Sequence, residues 1–466
     1  MSSALRVPEA FSKNVVYPLK DAVTRRDTLR VLAELRRSEK LAREEIETIR
    51  AERLRRTVQH AYRNVPYYRE LFDNLGIRPE DVRGPGDLAA IPTLTKETVR
   101  TRRGELIATN CRTRFAQTMH TSGSTGQPLS VVCDARSMSY RFANQLRGRL
   151  WHGLDIGDPE IRIMHAPGSH DTRLSARLLW STNTLKDRLL NIHAISTSDV
   201  SEEALAGWAE RVRVLRPRVV YGYGTSIHLF ARYLRGNSQA RAHGVDAVIV
   251  TGEKISSRQK AEIRQAFGST VVEEYGSSEC GIIAFECPQG RLHTSDESIV
   301  VEELDAVADG SGELLVTPLT NDLMPLIRYR IGDTGALSTE TCPCGRALGV
   351  VKEVFGRVID FLVRSNGDRL EPTPLMRLLE RIEKIARYRI EQPSVGTIEL
   401  TAQTDDALDE VEVATIRSAF REALGADTEV RIQFVDSIAQ SQGGKHRFIR
   451  SLAGDWSVQA AGGGAS

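Results

Sequence analysis

Apolar residues recur along this chain with two periods, and the switches between them mark its elements. From about Asp27 to Asn64 the sequence is charged and helix-forming. Leu41, Ile46, Ile49, Leu54, Val58 and Tyr62 fall at helical spacing, which predicts one long helix buried along a stripe. Proline in Asn64-Val-Pro-Tyr-Tyr68 breaks it, and a second helix over 68–75 should stop at Gly76. Residues 1–26 show no strong period. Residues 115–120 alternate like a strand, and a second short strand is expected at 129–133. Beyond them short apolar runs alternate with helical patterns. Strands are expected at 161–166, 191–195, 218–221, 247–250 and 271–274. Helices are expected at 137–151, 173–185, 201–215, 225–234 and 257–267. Such alternation predicts an α/β fold, a mostly parallel sheet with helices on its faces. Ligands bind these sheets beyond the carboxyl ends of the strands. There the chain places Gly222-Tyr-Gly224, Thr251-Gly-Glu253 and Tyr275-Gly-Ser-Ser-Glu279.

The pattern changes near residue 298. Strands at 298–304 and 312–317 lead to Pro325-Leu-Ile-Arg-Tyr-Arg-Ile-Gly-Asp333, a β subdomain attached to the first unit. After Gly356-Arg357, strands at 360–363 and 369–371 flank Asn366-Gly367, a strong hairpin signal. A helix at 374–385, strands at 388–392 and 397–402, a helix at 408–424 and a strand at 429–434 complete a compact α+β unit. The expected division is a large domain over 1–356, a small one over 357–456, and a small, polar, disordered tail over 457–466.

Composition narrows the function classes. The chain has 466 residues, 41% hydrophobic and 27% charged, with net charge +2. That is ordinary for a soluble globular protein, and no basic field points to nucleic acid. No apolar run reaches the ~18 residues of a membrane span, and the N-terminus lacks a signal-peptide apolar core. A cytoplasmic location is expected, with no membrane or nucleic-acid partner. A homodimer stays open. Six cysteines in a chain this long do not make a disulfide scaffold.

Thr121, Ser122, Gly123, Ser124, Thr125 and Gly126, followed by Gln127 and Pro128, combine bare backbone N–H groups with short hydroxyl donors. Phosphate binding needs that combination, although an isolated cluster of this kind is also a common surface turn. The loop lies between two strands and lacks the lysine-Ser/Thr ending of a Walker motif, which argues against a P-loop NTPase.

Several segments in order resemble the adenylate-forming superfamily of acyl-CoA ligases, adenylation domains and luciferases. They are Thr121–Gly126, Thr251-Gly-Glu253, Glu274-Tyr-Gly-Ser-Ser-Glu279, Arg328-Tyr-Arg-Ile-Gly-Asp333, Gly356-Arg357 and Gly443-Gly-Lys445. Ala61-Tyr-Arg-Asn-Val-Pro-Tyr-Tyr68 and Pro92-Thr-Leu-Thr-Lys96 are similar to its phenylacetate–CoA ligase and capsule-biosynthesis-type branch. The resemblance spans about residues 50–450 and implies an adenylating N-terminal domain and a mobile C-terminal lid. It implies that a carboxylic acid and ATP give acyl-AMP and pyrophosphate, and that coenzyme A then displaces AMP. An amine or a carrier-protein thiol is the alternative acceptor, and an inactive binding protein a remote one. The resemblance makes Lys445 and Glu279 catalytic: Lys445 for charge developing at the α-phosphate, Glu279 for Mg²⁺. It places Gly252, Glu253, Glu274, Tyr275, Gly276 and Ser277 about the nucleotide, with Tyr275 on adenine. Asp333 would take the ribose hydroxyls, and Arg357 the ribose or α-phosphate. Gln127 stands where many members have lysine. The usual hinge acid position is Ile359, with Asp360 one later. By the same analogy Tyr223, His228 and Ile282 are candidates for the acid pocket, although each is more readily read as a packing residue.

Cys287, His293 and Cys342-Pro-Cys344 offer three thiols and an imidazole, matching a tetrahedral structural zinc site. Free buried thiols are the alternative. Four protein ligands would leave the metal no open position, so no catalysis is assigned to it. Cys280 is a weaker ligand candidate, and Cys111 and Cys133 are read as packing residues.

Overall fold

The structure is a computed structural model of the chain. It describes residues 6–111, 113–120, 129–164, 185–197, 199–237, 244–304, 312–357, 362–370, 372, 375, 378–379, 381–382, 384–404, 406–435, 438 and 449–451. The loop at 121–126, Lys445, nearly all of the expected helix 173–185 and the 457–466 tail lie outside these residues. The chain forms two compact units, Met1–Ile331 with Gly335–Val354, and Gly332–Thr334 with Phe355–Ser466.

In the larger unit β1 (Gln117–His120) and β2 (Ser130–Cys133) pair antiparallel with His120 opposite Ser130, so the two strands flank the loop at 121–128. An eleven-stranded sheet carries the rest. Its parallel part runs β4 (Ile192–Ser196), β3 (Glu160–Met164), β5 (Val219–Tyr223), β6 (Ala247–Thr251), β7 (Thr270–Ser277). Helices Glu202–Leu215, Gly224–Gly236 and Ser257–Phe267 cover one face, and Trp208, Phe230 and Phe267 pack in that layer. The other face takes helix Ala135–Leu150. A Cβ at Gly148 would stand 2.3 Å from the Phe285 ring, so glycine is needed for this close approach.

The expected end of the seventh strand at Glu274 is corrected. β7 runs on to Ser277 and returns as antiparallel β8 (Gly281–Glu286), followed by antiparallel β9 (Leu292–Thr294). A turn this short can join only antiparallel strands, since a parallel connection needs a dozen or more residues. The sheet is therefore mixed rather than mostly parallel. β10 (Ile299–Leu304), β11 (Gly312–Pro318), β12 (Tyr329–Ser338) and β13 (Val350–Arg357) complete the order β10-β11-β12-β13-β9-β8-β7-β6-β5-β3-β4.

Two helical expectations also change. The long helix is two, Thr28–Ser38 and Arg43–Asn64. The second starts afresh because the Glu45 carboxylate accepts the Ala42 backbone N–H at 3.0 Å, as in one half of a capping box. Residues 9–23, which show no clear period, are helical. Two buried ion pairs brace this unit. Arg147 Nη1 donates to Glu297 Oε1 at 2.7 Å, which the Ser38 hydroxyl also reaches at 2.5 Å. Arg149 Nη1 donates to Glu160 Oε2 at 2.5 Å.

The smaller unit has the β14 (Leu362–Val363)/β15 (Arg369–Leu370) hairpin about Asn366-Gly367. Its sheet has the order β18 (Glu429–Val435), β17 (Thr397–Thr404), β16 (Ile385–Ser394), β19 (Ile449–Ser451). Helix Glu410–Leu424 opens on a capping box between Asp409 and Glu412 and packs Ile416 and Phe420 on Ile390 and Leu400. Among the described residues no helix is long and apolar enough to cross a membrane.

Candidate active site and metal centre

The carboxyl ends of β5, β6 and β7 lie in register, with Tyr223 opposite Thr251 and Thr251 opposite Glu274. The polar segments expected at strand ends thus share one edge. Tyr223 is half-buried, and burial followed by the Glu253 charge pushes its hydroxyl pKa up. Gly252 takes φ +75°, a left-handed turn that suits glycine. The turn delivers the Glu253 carboxylate to the first turn of helix Gly224–Gly236, where it accepts the Thr225 N–H at 2.8 Å. Tyr223 at the N-cap makes no such bond, so a distant acid does the capping.

Successive strand residues face opposite ways. Glu274 is buried and accepts from the Tyr221 hydroxyl at 2.7 Å and from Gln145 Nε2 at 2.9 Å. Tyr275 is half-buried, packed beside the core that holds Tyr329 and Met138. A bulge separates Tyr275 from Gly276, which pairs with Ile282, while Ser277 pairs with Gly281. A Cβ on Gly276 would fall 2.5 Å from the Gly281 carbonyl oxygen. The hairpin therefore accounts for this glycine without a ligand.

Glu279 sits in the turn after β7, and it is buried. Its Oε1 accepts from the Tyr329 hydroxyl at 3.0 Å. On the neighbouring peptide, Arg141 Nη2 donates to the Ser278 carbonyl at 2.5 Å. Tyr329 and Arg141 were not singled out in the sequence. Tyr329 had a signal, its place within Arg328-Tyr-Arg330, whereas Arg141 had none. The same motif ties down another one. Leu94 N donates to the Arg328 carbonyl and Arg330 N to the Leu94 carbonyl, both at 2.9 Å. Arg328 Nη1 reaches the Ile91 carbonyl at 2.6 Å. Burial, then the Glu279 charge, pushes the adjacent Cys280 thiol pKa far up, which keeps it protonated and unreactive.

The other expected residues are more scattered. His228 is buried in helix Gly224–Gly236, where Nε2 meets Glu262 Oε2 at 2.7 Å. That bond, then Arg258, holds the Glu262 carboxyl down at about 2. His228 thereby links two helices. Ile282 packs with Phe285 and Tyr221. Asp333 lies half-buried within β12, and Arg357 closes β13.

Cys287, His293, Cys342 and Cys344 converge, with their ligand atoms all within 4.8 Å of one another. Cys287 Sγ and Cys342 Sγ are 3.7 Å apart, and His293 Nε2 and Cys344 Sγ 3.2 Å. Zinc at about 2.3 Å from sulfur and about 2.0 Å from nitrogen puts tetrahedral donors roughly 3.5–3.8 Å apart, so the set fits. His293 Nδ1–H donates to the Leu348 carbonyl at 3.1 Å. This fixes the tautomer that leaves Nε2 free to ligate. Cys287 follows β8, His293 lies on β9, and the Cys342–Cys344 turn precedes β13, so the cluster ties three neighbouring strands.

Known proteins resemble this chain over most of its length. Residues 92–315 match the model of the AMP-binding enzyme family, and residues 362–451 match the CapK C-terminal domain. Protein CapK of Staphylococcus aureus is 23% identical over 392 residues, covering 83% of this chain and 85% of that protein. Phenylacetate-coenzyme A ligase of Aromatoleum evansii is 26% identical over 375 residues, covering 77% and 81%. The crystal structure of 2-hydroxyisobutyryl-CoA ligase in the postadenylation state shares the fold, with TM-score 0.71, 18% identity and coverage of 91% and 93%. The chain belongs to the adenylate-forming superfamily, in the branch of phenylacetate–CoA ligases and capsule-biosynthesis-type ligases.

Proposed function

We infer that this enzyme activates a small carboxylic acid with ATP and passes the acyl group to coenzyme A. The observation that carries the reading is Glu279, a buried carboxylate fixed by the Tyr329 hydroxyl at the carboxyl edge of the sheet. A carboxylate held this firmly suits Mg²⁺, which when bound neutralises phosphate charge. Residues of the other family-like motifs take the remaining roles. Tyr275 stacks on adenine, Asp333 accepts from the ribose hydroxyls, and Arg357 contacts the ribose or α-phosphate. Thr121–Gly126 hold the β- and γ-phosphates through backbone N–H groups and hydroxyls. The acid's carboxylate oxygen attacks the α-phosphorus, pyrophosphate leaves, and Lys445 stabilises the negative charge that develops. The thiolate of coenzyme A then attacks the acyl carbon, and AMP leaves. The Cys287/His293/Cys342/Cys344 set holds a structural zinc.

The test is ATP–pyrophosphate exchange over aryl, arylacetic, fatty and amino acids, with product analysis with and without coenzyme A. Exchange with at least one acid, and thioester formation when coenzyme A is present, are expected. Absence of exchange with every acid refutes adenylation, and exchange without thioester refutes the acceptor. Lys445→Ala should abolish exchange and leave ATP binding nearly intact. Equal loss of both refutes its assigned role.

A further inference from the structure

Helix Tyr17–Val23 lies on the β4 side of the large sheet, where Tyr17 packs on Ile156 and Leu190 with Ile192 of β4 beside them. Its Lys20 reaches helix Ala135–Leu150. The ammonium stands 4.1 Å from the centre of the Tyr17 ring and 4.5 Å from that of Phe142. A second cation shares the Phe142 ring. The Arg26 guanidinium is 5.1 Å from its centre, and Arg26 Nη2 donates to Gln117 Oε1 at 2.8 Å. Gln117 opens β1, the strand that leads to the loop at 121–126. Phe142, Met119 and Tyr275 flank the same core cluster. One helical turn beyond Phe142, Gln145 donates to Glu274 at the carboxyl edge of β7. Lys20 therefore stands near that edge, beside the strands and helix that frame the proposed site.

Charge around Lys20 does not balance. Asp21 gives its carboxylate to the Thr28 N–H at 2.8 Å and the Thr28 hydroxyl at 3.0 Å. Arg149 Nη1 and Arg162 Nε each lie 2.5 Å from a Glu160 oxygen. Both guanidiniums lie over the Tyr221 ring, whose hydroxyl donates to Glu274, so two acids match these two cations. Lys186 has Asp187 at 3.7 Å. Among the described residues no carboxylate pairs with Lys20. Burial pushes its pKa down to about 8; Asp21 opposes this, while Arg26, Lys186 and Arg162 add to it. A desolvated ammonium without a counter-ion is costly, and two aromatic faces offset only part of that cost. We propose that Lys20 receives a second anionic group on the acid substrate, at the end remote from the carboxylate that is adenylated. The inference rests on the adenylation reading and names the substrate class as dicarboxylic acids. A phosphate of ATP fits this cation less well. Phosphate charge is assigned to Glu279, in the turn after β7, whereas Arg162 beside Lys20 lies on β3, three strands away. At the spacing of neighbouring strands that is about 14 Å, which leaves room for the body of a small acid between the reacting carboxylate and Lys20.

The test is ATP–pyrophosphate exchange with matched acids, butyrate against glutarate and phenylacetate against 4-carboxyphenylacetate. In at least one pair the dicarboxylic member should have a kcat/KM about tenfold higher or more. Lys20→Met, whose thioether still suits the two rings, should bring that ratio to about one, and Lys20→Arg should keep most of it. The wild-type comparison is decisive even if a variant fails to fold. Exchange that proceeds equally well or better with the monocarboxylic member of both pairs overturns the inference and leaves adenylation standing. A ratio unmoved by Lys20→Met also overturns it and makes Lys20 a clamp between two rings. A loss in Lys20→Met common to both members, with a raised KM for ATP, overturns it and assigns the amine to phosphate. Absence of exchange with every acid refutes adenylation and this inference with it.

Discussion

Replacing Tyr329 with phenylalanine removes a single oxygen from the site, and its effect can be worked out. The ring is fully buried and stays in place. What is lost is the bond from the hydroxyl to Glu279 Oε1, 3.0 Å long. A hydrogen bond to a charged group contributes about 1.5–3 kcal/mol, and about 1.4 kcal/mol is a factor of ten in an equilibrium or rate. If the hydroxyl acts by aiming and stabilising the carboxylate that holds Mg²⁺, the loss should appear in metal dependence. Exchange measured against Mg²⁺ should need about tenfold more metal for half-saturation, and kcat/KM for ATP should fall about 10- to 100-fold. The control is Glu279→Gln, which keeps an oxygen to accept the bond but removes the charge. In that background Tyr329→Phe should cost about 1 kcal/mol less than in the wild type, because contacting residues couple. The reasoning is refuted if the two effects add, or if Tyr329→Phe lowers the melting temperature with no change in Mg²⁺ dependence.

Three further outcomes follow from buried groups. Purified protein should contain about one zinc per chain by elemental analysis; Cys342→Ala should remove it and lower the melting temperature, and a metal-free protein of equal stability counts against the site. Arg147→Met leaves Glu297 buried at 1% side-chain exposure without its cation, and should cost about 3–5 kcal/mol in urea unfolding. Arg147→Met with Glu297→Leu should cost less than the single change. Burial pushes the Glu160 carboxyl up, but Arg149 and Arg162 outweigh it and hold it down at about 2, from 4.5. A depressed carboxyl stabilises the fold above its unfolded pKa, and that stabilisation fades as pH falls from 4.5 towards 2. Glu160→Gln should be less stable at pH 7 and lose less stability across that window in acid titrations.

What the sequence disclosed, and what it did not, follows from the range of the interactions. Alternation of strands and helices is a local signal, and the parallel strands from 160 to 277 lie close to their expected places. Motifs such as Tyr275–Glu279 are also local, because a hairpin bulge needs Gly276 at one position and the acid a fixed distance on. The four zinc-type ligands were legible across more than fifty residues because cysteine and histidine are scarce and their chemistry is restrictive. Tyr329 is separated from Glu279 by fifty positions, and a buried tyrosine in a strand looks like any core residue until the fold brings them together. Arg141 offers even less, since a basic residue on a charged helix looks like solvated surface. The N-terminal helix was missed for the opposite reason. Its buried positions are Ser12, Tyr17 and Asp21, while Phe11, Val15, Leu19 and Val23 are exposed, and the π-turn at Ser12–Val16 shifts the period away from 3.6, so a search for a buried apolar stripe finds none.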